Sequence, residues 1–137
     1  MKSLLIISAG IESIAGIQRA KSMGLHVVVS DMNPDAPGFA VADDQLLAST
    51  YDVEATVAAA RAYHEQVSPL DGVMCIASDV PLTVASVAAA LGLPGIPVES
   101  ARLAMDKLAM KQRIAADGVP IPRFSPVSAA EHLRELV

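Results

Sequence analysis

Lys107 and Lys111 are candidate phosphate-binding residues, judged by their type and spacing. They lie in the stretch MDKLAMKQRIAADGVPIP, residues 105–122, four positions apart and therefore on one face of a predicted helix. An ammonium group on such a face attracts phosphate as a point charge. The alternative is a solvated face with no binding role, because lysines usually lie exposed. The pattern alone leaves both interpretations open.

A second set of candidates follows two predicted strands. The run SLLIIS (residues 3–8) is continuously apolar, which is typical of a strand buried on both faces, and the apolar run GVMCIA (residues 72–77) is predicted to be the fourth strand. In an open parallel sheet, ligands bind beyond the carboxyl ends of the strands, where the strand order reverses. The residues predicted to line this edge on the substrate side are Gly10, Ile11, Glu12, Ser13, Asp31, Ser78 and Asp79.

Two of these acids each have two interpretations. Asp31 falls where the ribose-binding acid of a dinucleotide site would lie, but an acid after a strand is also a common turn cap. The three glycine positions of the dinucleotide fingerprint hold Ser8, Gly10 and Ser13, so the sequence gives NAD binding little support. Asp79 is followed by Val80 and Pro81, a pattern that predicts a cap of the next helix, although the same carboxylate can also face a substrate.

Neither a catalytic residue nor a metal site is predicted. Cys75 lies within an apolar strand and is interpreted as a small buried hydrophobic residue. His26, His64 and His132 show no ligand spacing. A single cysteine cannot form an internal disulfide, which favours a reducing compartment and a cytoplasmic location.

The overall composition excludes several classes of protein. The chain of 137 residues is 53% hydrophobic and 18% charged, so a disordered chain is excluded. Its net charge of −5 comes without a basic patch, which argues against a nucleic-acid partner. The uncharged segment from Val80 to Val98 is interrupted by prolines and is not predicted to span a membrane. The sequence leaves open whether the chain forms a homodimer.

The hydrophobic pattern predicts the order β-α-β-β-α-β-α-β-α. Such alternation indicates a Rossmann-like open parallel sheet with helices on both faces, and we expect the strand order 3-2-1-4-5. The fifth strand is predicted over Gly95–Val98, and a C-terminal linker helix over Ser128–Val137. We expect a domain over residues 1–118, followed by the start of a linker or second domain over residues 119–137.

Several motifs occur together in one order: DMNPDAPG after the second strand, SDVPL after the fourth, then ALGLPGIP and DKLAMKQRIAADGVPIP. This order resembles the N-terminal (pre-ATP-grasp) domain of ATP-grasp ligases, in particular of the type of the carbamoyl-phosphate synthetase large subunit. The resemblance extends over essentially the whole chain. Some members carry Glu-x-Pro-Leu where this chain has Asp79-Val80-Pro81-Leu82, an acid that is one methylene shorter.

The resemblance implies a role in an enzyme that uses ATP and Mg²⁺. Such ligases activate a carboxylate as an acyl phosphate and transfer it to an amine or another nucleophile. By the same resemblance, Lys107 contacts nucleotide phosphates, with Lys111 as a weaker candidate. The loops around Gly10–Ser13 and Asp79 line the side of the small-molecule carboxylate or amine substrate.

The family's glycine-rich phosphate loop and Mg²⁺-binding residues have no counterpart in these 137 residues. We therefore expect the chain to be truncated, to bind no cofactor by itself and to be inactive alone. Its partners would be the missing ATP-grasp domains, in the same chain or in a separate subunit. The alternative is a stand-alone regulatory module that binds a nucleotide or a metabolite.

Overall fold

Four parallel strands form the sheet of the computed structural model, which describes residues 1–136. The strands are β1 (Ser3–Ile7), β2 (His26–Asp31), β3 (Asp44–Leu47) and β4 (Gly72–Cys75). Their order across the sheet is β3-β2-β1-β4, and all three neighbouring pairs are parallel. The α/β class and the first four positions of the predicted strand order are confirmed.

Six α-helices are formed by the described residues: α1 (Ile14–Ser22), α2 (Val53–Gln66), α3 (Pro81–Leu91), α4 (Val98–Met105), α5 (Lys107–Ala116) and α6 (Ala130–Leu136). Short 3-10 turns cover Ile11–Ser13 and Pro37–Ala40. The last predicted helix thus corresponds to α6, and Val137 lies outside the described residues.

Two layers of apolar side chains cover the sheet, one on each face. Leu5, Ile7 and Val28 pack with residues of α2 and α3. Ile6 and Val29, which alternate with them along the strands, pack with residues of α1. This double burial explains why apolar residues follow one another in the middle of β1 (Leu4–Ile7) and of β2 (Val27–Val29) rather than occurring at every second position.

The predicted fifth strand is wrong for the described residues, since Gly95–Val98 pairs with no strand and α4 already begins at Val98. Gly95 instead lies against α3, where an added Cβ would be 2.8 Å from the Cβ of Ala88. Prolines on either side of Gly95 lack the N–H groups that a ladder needs, which explains why this segment does not extend the sheet.

The chain divides into two compact units, Met1–Met105 and Asp106–Val137. The first unit contains the sheet and α1 to α4, and the second contains α5 and α6. The division falls before α5, whereas the sequence predicts a domain boundary after Gly118. That predicted boundary remains a prediction about the organisation of a larger protein.

Candidate functional site

The carboxyl ends of β1 and β4 form the point at which the strand order reverses. From β1 the chain proceeds to β2 and β3 on one side, while β4 pairs with the other side of β1. The loops after Ile7 and Cys75 therefore leave the sheet side by side, since these two residues are paired in the register. This is the location where open parallel sheets bind ligands.

Backbone strain is concentrated in these two loops. Among the described residues, Ser8 and Ala77 are the non-glycine residues with a positive φ, at 88° and 55°. Ser8 follows β1 and Ala77 follows β4. Such conformations are unfavourable for residues with a Cβ and occur preferentially at ligand-binding sites. The strain therefore supports this edge as the candidate substrate site.

Asp31 connects the first loop to the end of β2. Its Oδ2 accepts a hydrogen bond from the backbone N–H of Ala9 at 2.9 Å, and its Oδ1 accepts one from that of Asn33 at 3.0 Å. Both carboxylate oxygens are thus engaged by the backbone. This bonding favours the turn-cap interpretation of Asp31 over a ribose-binding role.

Ser13 connects the same loop to β4. Its side chain is 1% exposed, and its hydroxyl donates to the carbonyl oxygen of Ile76 at 3.2 Å. Gly10 is half-buried, whereas Ile11 and Glu12 are exposed. Of the predicted loop residues, Ser13 is thus buried and bonds the loop to β4, whereas the side chains of Ile11 and Glu12 are accessible to a ligand.

The predicted capping role of Asp79 is wrong. The N-cap of α3 is Val80, and no side chain makes a capping hydrogen bond there. Asp79 is exposed at the carboxyl end of β4, while the half-buried Ser78 accepts a hydrogen bond at its carbonyl from Cys75 Sγ at 3.3 Å. The interpretation that remains for Asp79 is a carboxylate that faces solvent or a substrate.

This edge of the sheet can hold a polar ligand by accepting its hydrogen bonds. At one end of the sheet, the structure places the loop of Gly10 to Ser13 after β1, Asp31 at the last position of β2, and Ser78 with Asp79 after β4. The exposed carboxylates of Glu12 and Asp79 can accept hydrogen bonds from an amine or a hydroxyl group.

Two glycines that shape this edge were not singled out by the sequence. Gly38 donates its N–H to the carbonyl of Ala9 at 2.7 Å, and an added Cβ would lie 2.8 Å from the Cα of Ala9. An added Cβ on Gly16 would overlap the side chain of Ile76. The Pro-Gly pair at Pro37 indicated a turn, but only the fold brings that turn against the first loop.

The second unit contains the predicted lysine pair. Asp106 is the N-cap of α5, and its Oδ1 accepts hydrogen bonds from the N–H groups of Leu108 and Ala109 at 3.0 and 2.9 Å. Lys107 is exposed at the first position of the helix. The carboxylate of Asp106 therefore already compensates the positive end of the helix dipole, and the Lys107 ammonium is the group beside it that can attract a further anion.

Lys107 and Lys111 line one open groove of about 310 Å³ within this unit. The Lys111 Nζ lies 5.5 Å from the centroid of the Phe124 ring, a residue that the sequence did not single out. A sequence pattern cannot reveal this contact, because the two residues are separated by a turn and an extended segment. The role of either lysine in binding phosphate remains a prediction.

A charged cluster lies at the opposite, amino end of the sheet. The hydroxyl of Tyr63 donates to Asp44 Oδ2 at 2.6 Å, and His26 Nε2 lies 2.7 Å from the same oxygen. The Tyr63 hydrogen bond, followed by that of His26, lowers the pKa of Asp44. Burial, followed by the bond to Asp44, raises the pKa of Tyr63. This cluster joins β2, β3 and α2 and lies away from the candidate site.

No group of three or more histidine, cysteine, aspartate or glutamate side chains is placed to hold a metal ion within the described residues 1–136. In the same part of the chain, no helix is long and apolar enough to cross a membrane.

Solved structures similar to this chain include three synthetases. Phosphoribosylglycinamide synthetase from Anaerococcus prevotii matches with a TM-score of 0.79 and 23% identity, over 98% of this chain and 33% of its own. N5-carboxyaminoimidazole ribonucleotide synthetase from Thermotoga maritima matches with a TM-score of 0.72 and 25% identity, over 98% of this chain and 36% of its own. N5-carboxyaminoimidazole synthetase from Staphylococcus aureus, complexed with ADP, matches with a TM-score of 0.71 and 20% identity, over 98% of this chain and 34% of its own.

The chain therefore spans about a third of the length of these structures. No curated protein matches it significantly. The family described as ATP-grasp N-terminal domain matches residues 17–95, which is more than half of the chain and includes β2, β3, β4 and Asp79. On this match, the chain belongs to the ATP-grasp N-terminal domain family.

Proposed function

We propose that this chain is the N-terminal, substrate-side domain of an ATP-dependent carboxylate–amine ligase of the carbamoyl-phosphate synthase type. The observation that carries the proposal is the position of Lys107 at the first residue of α5, directly after the capping residue Asp106. An ammonium group at the positive end of a helix is suited to contact the phosphates of ATP. The ADP in the Staphylococcus aureus structure supports a nucleotide as the cofactor.

The first unit contributes the substrate side in this proposal. The exposed carboxylates of Glu12 and Asp79 accept hydrogen bonds from the N–H or O–H groups of a small carboxylate or amine substrate and orient it. Ser13 and Asp31 hold the loops in place through their bonds to Ile76 and Ala9. These residues bind and orient a substrate, and we assign none of them a catalytic role.

The domains that bind most of the ATP and the Mg²⁺ belong, in this proposal, to the remaining two thirds of a protein of the relatives' length. They are supplied by the same polypeptide or by a partner subunit. The resemblance to ATP-grasp ligases assigns the Mg²⁺-binding residues to those domains as well. The free thiol of Cys75 is consistent with a cytoplasmic enzyme.

In this proposal, the missing domains cover apolar side chains of the second unit. Val119, Val127 and Leu133 are 52%, 50% and 54% exposed in the second unit. A domain that docks on this unit would bury part of this apolar surface, and a stand-alone regulatory module would leave it exposed.

Calorimetric titration of the isolated chain with Mg-ATP tests the proposal. We expect a dissociation constant far weaker than about 1 μM, because one lysine at a helix end supplies only part of a nucleotide site. The chain is also expected to hydrolyse no ATP. Tight binding, at or below about 1 μM, would overturn the proposal and favour a self-contained nucleotide-binding module.

A further inference from the structure

Lys111 differs from Lys107 in its surroundings, although both line the same groove. Lys111 is half-buried, and its Nζ lies 5.5 Å from the centroid of the Phe124 ring. This separation is within the range of a cation–π interaction. The ammonium of Lys111 is therefore already engaged by an aromatic ring, whereas that of Lys107, at the exposed start of α5, has no such ring contact among the described residues.

The backbone after α5 explains how Phe124 reaches Lys111. Gly118 adopts a positive φ of 75°, and its N–H bonds to the carbonyl of Ala115 at 3.0 Å. The N–H of Val119 bonds to the carbonyl of Ile114 at 3.2 Å. These bonds close the helix and turn the chain. Prolines at positions 120 and 122 then restrict the segment that leads to Phe124.

The returning segment forms one wall of the groove. The residues that line the groove are Lys107, Leu108 and Lys111 from α5, and Phe124, Ser125, Pro126 and Val127 from the segment. None of residues 106–134 is fully buried, although Lys111 and Phe124 are each half-buried. The contact between the ammonium of Lys111 and the ring of Phe124 is therefore one of the few interactions that can keep this wall in place.

We propose that Lys111 is a positioning residue: it holds Phe124 against α5 and so keeps the wall of the groove beside Lys107. The inference rests on the proposed function, in which Lys107 contacts the phosphates. It separates the roles of the two lysines, since Lys107 meets the anion and Lys111 orders the segment that borders it. The charge of Lys111, and not only its carbon chain, is required.

NMR of the whole chain with ¹³C-labelled lysine tests the contact itself. We expect the Lys111 Cε protons to be shifted upfield relative to those of Lys2, an exposed lysine in the first unit, because they lie near an aromatic ring. Phe124→Leu keeps an apolar side chain and should remove the shift. An unshifted Lys111 signal in the unaltered chain overturns the inference.

Titration with inorganic tripolyphosphate then tests the positioning role. The NMR signal of Lys107 should shift as tripolyphosphate is added. The apparent affinity of the chain for tripolyphosphate should fall about two- to fivefold in Lys111→Met and in Phe124→Leu, as the strength of an exposed cation–π contact implies. Lys111→Arg, which keeps the charge, should restore the affinity of the unaltered chain. In the two weakened variants, the amides of Ser125 and Val127 should also become more mobile.

The possible results separate the two proposals. If the Lys107 signal reports the same affinity for tripolyphosphate in Lys111→Met, in Phe124→Leu and in the unaltered chain, the positioning role is overturned. The phosphate contact of Lys107 is then retained. No response of Lys107 in the unaltered chain overturns the phosphate contact and, with it, the positioning role. Full retention of affinity and segment order in Lys111→Met alone shows that the carbon chain suffices and overturns the requirement for the charge.

Discussion

At the scale of single residues, close backbone contacts determine the shape of the candidate substrate edge. Gly38 lies against Ala9, and the hydrogen bond of 2.7 Å between them fixes the first loop beneath the Pro37–Ala40 turn. The neighbours of the missing Cβ are atoms of Ala9, including its backbone, and cannot rotate away.

We expect Gly38→Ala to destabilise the chain by about 1–3 kcal/mol, the usual range for overpacking at a site that cannot relax. Urea unfolding followed by circular dichroism measures this change. Gly72→Ala is the matched control, since its Cβ would lie 3.4 Å from the flexible end of Leu4 and φ is not positive there. A Gly38→Ala variant as stable as this control would show that the loop adapts and that the close approach is not required.

The acids at the amino end of the sheet make stability depend on pH. The hydrogen bond from Lys21 lowers the pKa of Asp43, and the bond from Tyr63 lowers that of Asp44. A pKa that is lower in the folded state means that the unfolded chain binds protons more readily. This contribution is fully present above the unfolded pKa of about 4 and is lost as the pH falls through the folded values.

Urea unfolding at pH values from 7 down to 3 should therefore show a falling free energy of unfolding below about pH 4. Tyr63→Phe should weaken this dependence and cost about 1 kcal/mol at neutral pH, since it removes one hydrogen bond to Asp44. An unchanged pH profile in Tyr63→Phe would mean that the hydroxyl does not influence the titration of Asp44.

At the scale of elements, the two helices that follow β3 and β4 begin in different ways. Asp52 caps α2 by accepting a hydrogen bond from the N–H of Ala55 at 2.9 Å. Asp79 stands just before α3 but makes no such bond, and Val80 takes the cap position. Only the first of these acids is needed by its helix, so the second is available for a ligand.

Alanine substitutions distinguish the two acids. Asp52→Ala should cost about 0.5–2 kcal/mol, the usual value of an N-cap. Asp79→Ala should change the free energy of unfolding by no more than about 0.5 kcal/mol, as is usual for an exposed side chain without a structural partner. Thermal and urea unfolding of both variants provide the comparison, and a loss in Asp79→Ala equal to that in Asp52→Ala would restore the capping interpretation.

At the scale of the whole molecule, the two units differ in how much they bury. All buried residues among those described lie within Met1–Met105, where the sheet is covered on both faces. Residues 106–134 contain none. A helix without a buried face depends on its caps and on local contacts, so its stability is low.

Hydrogen exchange should consequently be much faster in α5 than in β1 and β2. The amides of Leu5 and Val28 are expected to exchange only on global unfolding, and those within α5 by local opening. Mass spectrometry of exchange at neutral pH measures both. Equal protection in α5 and in the central strands would show that the second unit is stabilised by contacts beyond its own.

The sequence by itself determined the class of fold and much of its order. A continuous apolar run at β1 predicted a strand buried on both faces, and the alternation with helices predicted a parallel sheet whose first four strands follow the order found. These features could be predicted because periodicity and β-branched content are local properties. The order of the motifs also indicated the family, to which the chain belongs.

Only the tertiary structure decided which polar side chains bond to the backbone of the fold and which remain accessible to a ligand. Asp31 and Ser13 bond to backbone groups distant in the sequence, whereas Asp79, predicted as a cap, makes no capping bond. Gly95 lies against Ala88 of α3, and Gly95–Val98 does not extend the sheet. The contact between Lys111 and Phe124 likewise depends on how the chain turns after α5. The physical reason is the same in each case: a hydrogen bond or ring contact requires atoms a few ångströms apart, and folding sets that distance between residues that are remote in the sequence.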